Sequence, residues 1–248
     1  MQEIRTYRAN FHGDLIFKEI KIDQTDLAVG IPAEFDTKKL TNDLYGLLYR
    51  LRKELIEYIA KDAFFAITHR PHVLLADAPD IAKKMAWAGN LAGVGPMAAV
   101  AGAIAQEVGL WLAPKVKELV IENGGDIYLA GERERLIGIW AGKNSFSDRI
   151  ALRIPAASLP MGVCTSSGKV GPSFSYGKAD AAVVLAKDAA LADATATMTG
   201  NLIKTEEDLL AAIEVAKKIP GILGVLAIIN KKMAAWGEME LVSLPGHF

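Results

Sequence analysis

Leu119-Val120-Ile121-Glu122-Asn123-Gly124-Gly125-Asp126-Ile127-Tyr128-Leu129-Ala130 is two apolar runs separated by adjacent glycines. Glycine takes positive φ without steric cost, so the stretch reads as two strands joined by a tight hairpin. The same turn admits a second, compatible reading. Without side chains at Gly124 and Gly125 a ligand can approach the backbone, and Asn123 and Asp126 are ready to bond it.

The chain before this hairpin is a β region followed by helices. Between residues 4 and 32, Tyr7 to Asn10 leads into a His12-Gly13-Asp14 turn. Leu15, Phe17, Ile20 and Ile22 approximate period two, and Leu27 to Ile31 is a further apolar run ending at Pro32. From about Thr37 to Ala60, Leu44, Leu47, Leu48, Leu51, Leu55 and Ile59 recur at helical spacing, with Asp36 or Thr37 as N-cap. His72 to Ala76 reads as a short strand, and Asp80 to Leu91 as a helix opened by Pro79. The next helix, Pro96 to Leu112, is small and apolar almost all round. That composition predicts a buried helix with other backbone packed close against it.

Beyond the hairpin the predicted strands are Leu136 to Ala141, Ile150 to Ile154 and Ala181 to Ala186. A loop rich in Gly and Ser runs from Thr165 to Gly177. Helices follow at Ala189 to Gly200 and Glu206 to Lys218, and a strand pair, Ile222 to Ile229 with Met239 to Val242, closes the chain. No linker or low-complexity stretch divides residues 1–248, which read as a single domain. Hairpins accompany the crossovers, so the class is α+β.

Composition narrows the function. The 248 residues carry a formal net charge of −1, are 51% hydrophobic and have a mean hydropathy of +0.22. That is ample material for a core and weighs against disorder. Near neutrality gives no electrostatic case for nucleic acid or an anionic membrane as partner. The first residues lack the apolar stretch of a signal peptide, and no run approaches the roughly 18 apolar residues of a membrane helix. Cys164 is the only cysteine, which excludes an intrachain disulfide and a multi-cysteine metal site. A cytoplasmic protein is expected, and the apolar surplus makes a homodimer plausible.

Besides the hairpin turn, three constellations could carry chemistry. Cys164-Thr165-Ser166-Ser167-Gly168, continuing through Gly171, Ser173, Ser175, Tyr176 and Gly177, offers hydroxyls and backbone N–H groups suited to phosphate or pyrophosphate. A solvated loop is the plain alternative, and Cys164 is either a nucleophile or, more simply, a buried inert thiol. In Ala192-Asp193-Ala194-Thr195-Ala196-Thr197, Asp193 and Thr197 stand one helical turn apart. A carboxylate plus a hydroxyl fits Mg²⁺ or Ca²⁺, and the alanines around them argue that Asp193 is buried and needs a partner. Gly93-Val94-Gly95-Pro96 makes a helix N-terminus that could take an anion, or only a loop-to-helix joint. The histidines say less. His69 and His72 flank Pro71, which breaks the helix that would align them. His12 lies in a turn and His247 at the tail, so a Ser-His-Asp system has little support.

In order and spacing these stretches resemble the ApbE-like superfamily, which includes the FAD:protein FMN transferases. Asn123 to Asp126 is similar to its Gly-Gly-Asp turn, Thr165 to Gly168 to its Thr-Ser-Gly loop, and Asp193 to Thr197 to its Asp-x-x-x-Thr metal motif. The helix Ala99 to Gln106 stands where the family has an Ala-Lys-Gly helix. Thr25-Asp26-Leu27, Val94 to Ala98, Glu122 to Asp126, Cys164 to Gly168, Gly177 to Asp180 and Ala192 to Thr197 together resemble an uncharacterised bacterial and archaeal branch of that superfamily.

The resemblance implies an ApbE-like, T-fold-related fold of mixed or antiparallel sheets with packed helices. It implies Mg²⁺ at Asp193 and Thr197, with a backbone carbonyl near Val100 as third ligand. It implies FAD or FMN near Asn123, Gly124, Gly125, Asp126, Thr165, Ser166, Ser167 and Gly168. The chain also departs from the transferases. Their His-Ile-Ile-Asp-Pro segment is replaced by Ser175-Tyr176-Gly177-Lys178-Ala179-Asp180, without a histidine, and Ala101 stands near the place of the helix lysine. Asp180, Lys178 and Cys164 are the remaining candidates for acid, base or nucleophile. The expectation is a Mg²⁺-dependent flavin-nucleotide-binding protein, with a non-catalytic carrier or sensor, or an unrelated transferase or hydrolase, as alternatives.

Overall fold

The structure, a computed structural model, describes residues 8, 13–142, 146, 149–168 and 176–244. His12, Gly171, Ser173, Ser175, His247 and the Tyr7 to Asn10 run, apart from Arg8, lie outside the described residues.

The hairpin read from Leu119 to Ala130 forms as β3 (Leu119–Asn123) and β4 (Asp126–Ala130), with Asn123 opposite Asp126 and φ of 71° and 98° at Gly124 and Gly125. It sits inside an eight-stranded sheet with β1 (Ile16–Ile22), β2 (Thr25–Ile31), β7 (Met161–Ser166), β8 (Ala181–Ala186), β9 (Ile222–Ile229) and β10 (Lys232–Gly237). The order is β1-β2-β3-β4-β7-β8-β9-β10. A second sheet has the order β11 (Glu240–Ser243), β6 (Ile150–Ile154), β5 (Arg135–Gly138). Every pairing in both sheets is antiparallel.

Strand alternation sends side chains to two different cores. Ile121, Tyr128, Cys164, Val184, Val225 and Ala227 pack on the helical side. Val120, Leu129, Val163, Val183, Leu185, Leu226 and Ile228 pack toward the small sheet. Both faces of the central strands are therefore dry, which is why β8 is apolar throughout and wholly buried.

Among the described residues, six helices cover the first face: α1 (Lys38–Lys61), α2 (Ala63–Ile67), α3 (Asp80–Ala92), α4 (Val100–Leu112), α5 (Ala189–Leu202) and α6 (Asp208–Ala216). The Thr37 hydroxyl caps α1 by accepting Leu40 N–H at 3.1 Å, and its buried stripe is Leu44, Leu47, Leu48, Leu51, Leu55 and Tyr58. The close packing expected of the small-residue helix is present. A Cβ on Gly102 would lie 2.2 Å from the Ala189 carbonyl oxygen, and one on Gly109 would lie 2.2 Å from the Tyr128 ring. Pro96–Ala99 is a 3-10 turn leading into α4 rather than its first α-helical turn.

Four expectations need correction. His72 to Ala76 is not a strand. Its backbone is held by side chains instead: Asn90 Oδ1 accepts His72 N–H at 2.9 Å, and the Tyr58 hydroxyl accepts Leu75 N–H at 3.1 Å. Thr165 and Ser166 are not loop but the end of β7, because a central strand is fixed by pairing on both sides more than by its own composition. The partner of β9 is β10, reached through a turn with Asn230 at φ 54°. The predicted last strand lies at Glu240–Ser243 and pairs with β6 in the other sheet, after the chain turns at Gly237, φ 100°. Among the described residues, no single helix is long and apolar enough to cross a membrane.

Candidate functional site

Three elements converge under the β3–β4 turn. Asp126 is the first residue of β4 and shares the helical side of the sheet with Tyr128. The register Ile127 to Val163 sets it beside Cys164 on β7. Asp193, on the second turn of α5, reaches the start of α4, where its Oδ2 accepts Gly102 N–H at 2.9 Å. That helix has no side-chain cap of its own, so a carboxylate from another helix satisfies its free N–H groups and meets its positive end. Asn123 ties the turn to the same place, its Nδ2 donating to the Ala101 carbonyl at 3.2 Å.

Two carboxylates are thus buried together, Asp126 at 7% exposure and Asp193 at 8%. Burial, then the charge of Asp193, pushes the Asp126 carboxyl well above the usual carboxylate range, despite the hydrogen bond from the Thr165 N–H. Burial pushes Asp193 up to about 7, opposed by the N–H groups of Gly102 and Ala101. Among the described residues, Asp126 Oδ1 has no hydrogen-bond partner. A cation placed here would offset the like charges and could coordinate the orphaned oxygen.

Glu122 holds the turn from the opposite face. Its Oε1 accepts Gly125 N–H at 2.8 Å and its Oε2 takes Arg8 Nε at 2.7 Å, while Arg8 Nη1 reaches Asp26 Oδ1 at 2.7 Å. The Gly125 N–H is therefore committed to the fold and is not offered to a ligand.

Cys164 is fully buried and donates to the Ala189 carbonyl at 3.3 Å. Burial, then the charges of Asp126 and Asp193, pushes its thiol well above its ordinary value, which suits an inert thiol rather than a nucleophile. Ser166 leaves β7 on the same side as Cys164 and lies under α5, its Oγ 3.4 Å from the position of a Cβ on Gly200. Thr165 points to the other face and contributes its backbone N–H. Gly168 N–H donates to the Ala179 carbonyl at 2.9 Å. Asp193 and half-buried Thr197 stand one turn apart on α5.

The structure does not bring Asp180 and Lys178 to the carboxylate pair. Asp180 is buried and accepts Asn230 N–H at 2.6 Å, bracing the β9–β10 turn. Lys178 lines a separate cleft of about 370 Å³ with Lys204, Thr205, Glu206 and Asn230.

The convergence of a Gly-Gly-Asp turn, a Thr-Ser strand end and an Asp/Thr helix face can be compared with known proteins. The family model described as AbpE bacteria matches residues 10–220. The chain belongs to this ApbE-like family. It is 44% identical to a UPF0280 protein of Methanocella arvoryzae over 79% of this chain and 80% of that one. It is 37% identical to a UPF0280 protein of Methanocaldococcus jannaschii over 91% and 92%. Among solved structures, the flavin transferase ApbE from Vibrio cholerae aligns with a TM-score of 0.57 at 12% identity, over 90% of this chain and 96% of that one. The apo flavinyl transferase ApbE of Pseudomonas stutzeri aligns at 0.53, also at 12% identity. At such identity the likeness shows the fold, and the α+β, ApbE-like expectation stands.

Sequence reasoning found most of these residues singly and missed how they combine. The pairing of Asp126 with Asp193 had no local signal, since 67 positions separate them. Among the described residues no three of His, Cys, Asp and Glu cluster as a metal site. The donors at hand are two carboxylates, with Thr197 one helical turn from Asp193 on α5. Such an oxygen set suits Mg²⁺, which keeps several waters and takes one or two carboxylates plus phosphate oxygens.

Proposed function

We propose that this member of the ApbE-like family is a Mg²⁺-dependent flavin-nucleotide-binding protein, with the ion held by Asp193, Thr197 and Asp126. The buried Asp126–Asp193 pair with its unpartnered oxygen carries this reading. A bound Mg²⁺ would neutralise the phosphate oxygens of the nucleotide. Asn123 fixes the turn against α4, Gly124 and Gly125 keep side chains out of the ligand's approach, Ser166 supplies a hydroxyl beside α5, and Ser167 follows it at the end of β7. The likeness in fold to solved flavin transferases supports flavin as the nucleotide.

A binding role without group transfer is favoured by a specific observation. The three residues that could replace the absent histidine are each otherwise engaged: Cys164 is buried and protonated, Asp180 braces a turn, and Lys178 faces another cleft. The protein is read as a cytoplasmic homodimer acting on a small molecule.

Calorimetry with FAD, FMN and common nucleotides, with and without Mg²⁺, tests the proposal. The expected result is saturable flavin binding that requires Mg²⁺ and is lost in Asp193→Ala. No heat with any of these ligands overturns it. AMP release from FAD in the presence of protein acceptors would restore the transferase reading.

A further inference from the structure

Gln106 is a buried polar side chain on α4, and both ends of its amide are taken by the start of α5. Its Oε1 accepts Ala189 N–H at 2.6 Å, and its Nε2 donates to Asp188 Oδ2 at 3.0 Å. The other oxygen of Asp188 accepts Leu191 N–H at 2.9 Å and so caps α5. From the sheet side, Cys164 Sγ donates to the Ala189 carbonyl at 3.3 Å. A Cβ on Gly162 would lie 2.5 Å from Ala189 Cα. Ala189 is therefore gripped at its N–H by α4 and at its carbonyl and Cα by β7.

This grip is tied to the site by helix geometry. Asp193 follows Ala189 by four residues, one turn and about 6 Å along the same stripe of α5. Gln106 follows Gly102 by four residues on α4. The bond from Gly102 N–H to Asp193 Oδ2, at 2.9 Å, and the bonds from Gln106 to Ala189 and Asp188 are thus two rungs, one turn apart, between the same pair of helices. Between the rungs the helices touch, since a Cβ on Gly102 would lie 2.2 Å from the Ala189 carbonyl oxygen. The facing surfaces are rich in alanine and glycine, which offer few knobs to oppose sliding. A fully satisfied polar network is what specifies one register there.

We propose that Gln106 is a positioning residue for Asp193: it sets where α5 stands along α4, and so where the carboxylate stands beside Asp126. Cys164 assists from β7, which gives the buried thiol a role as hydrogen-bond donor instead of nucleophile. The inference rests on the metal reading above and deepens it by naming what holds the carboxylate in place. Groups that orient a ligand through hydrogen bonds typically change metal affinity about tenfold or more when removed.

The experiment compares wild type with Gln106→Met, with the double variant Gln106→Glu/Asp188→Asn, and with Leu112→Ala. Gln106→Met has nearly the same shape and loses both bonds. The double variant exchanges donor and acceptor, so the bonds to Ala189, residue 188 and Leu191 can all re-form. Leu112→Ala weakens the core at the far end of α4 and serves as the stability control. Two readouts are taken on each protein: hydrogen exchange of the Gly102 amide by NMR in EDTA, which reports its bond to Asp193, and Mn²⁺ affinity by electron paramagnetic resonance. In Gln106→Met the Gly102 amide is expected to lose protection and Mn²⁺ affinity to fall about tenfold. The double variant recovers most of both. Leu112→Ala lowers the urea midpoint with Mn²⁺ affinity unchanged. Gln106→Asn, which draws the amide back by one methylene, gives the same losses and replaces Gln106→Met if that protein does not fold. Wild-type Gly102 protection and Mn²⁺ affinity in the Gln106 variants overturn the positioning role. Equal losses in Leu112→Ala also overturn it, because the effect is then one of stability alone. Absence of Mn²⁺ binding by the wild type overturns the metal reading, and the Gly102 amide still decides whether Gln106 positions Asp193.

Discussion

Gly102→Ala puts the packing beneath the site to a direct test. The new Cβ would stand 2.2 Å from the Ala189 carbonyl oxygen and 2.8 Å from both the Ala189 carbonyl carbon and Asp193 Cβ. Carbon and oxygen approach to about 3.3 Å, so α4 and α5 must separate by roughly 1 Å. Overfilling a packed interface costs about 1–3 kcal/mol. The same movement stretches the Gly102 N–H to Asp193 bond from 2.9 Å beyond hydrogen-bonding reach, and a bond to a charged group is worth about 1.5–3 kcal/mol. The better helix propensity of alanine returns less than about 1 kcal/mol. The net expectation is a loss of about 3 kcal/mol in urea unfolding at pH 7, at unchanged m-value.

Gly46→Ala is the control. Gly46 lies on the exposed face of α1, where a Cβ meets only Arg50 Nη1 at 4.0 Å. The same substitution should there stabilise by about 0.5–1 kcal/mol. A Gly102→Ala protein within about 0.5 kcal/mol of wild type would refute the close contact of the two helices, since ordinary surface changes fall in that band.

Further outcomes follow from the buried charges. Without divalent ions, the Asp193 carboxyl, raised from 3.8 to about 7, holds its proton in the folded state over a range where the unfolded chain has lost it. Its contribution is complete below about pH 4 and is lost as pH rises through 7. Urea midpoints in EDTA should fall over that window, Asp193→Asn should make the profile shallower while buried Asp126 keeps part of the slope, and saturating Mg²⁺ should reverse it. An identical slope in Asp193→Asn rejects the assignment. Arg8→Ala leaves Glu122, 1% exposed, without its cation and is expected to cost about 3 kcal/mol by urea unfolding. Cys164 should resist Ellman's reagent in the native protein and react at once in denaturant, and rapid native labelling would contradict its burial.

Wherever the local pattern had one buried face, the chain declared its structure. The period-3.6 leucines of α1, the Thr37 cap, and the glycines of the β3–β4 turn act within a few residues, so their consequences could be read directly. The Asp193/Thr197 spacing was likewise visible as one helical turn. β10 was missed because Lys232 and the Ala234-Ala235 pair before Trp236 form an edge whose stability comes from pairing with β9, not from an apolar alternation of its own. His72 to Ala76 has strand-like composition, but side chains of Asn90 and Tyr58 take its backbone groups first.

Asn123, Asp126, Thr165, Ser166 and Asp193 were all named from the chain as candidate ligand contacts. Their types and local spacing come from the sequence by itself, as does the α+β class. Only the tertiary structure decided that Asp126 and Asp193 share one dry space, that Asp193 caps α4, and that Gln106 grips the start of α5. The reason is range. Turn and helix preferences act over a few residues, whereas burial and charge coupling depend on which strands and helices are stacked, and that is set by the whole core at once.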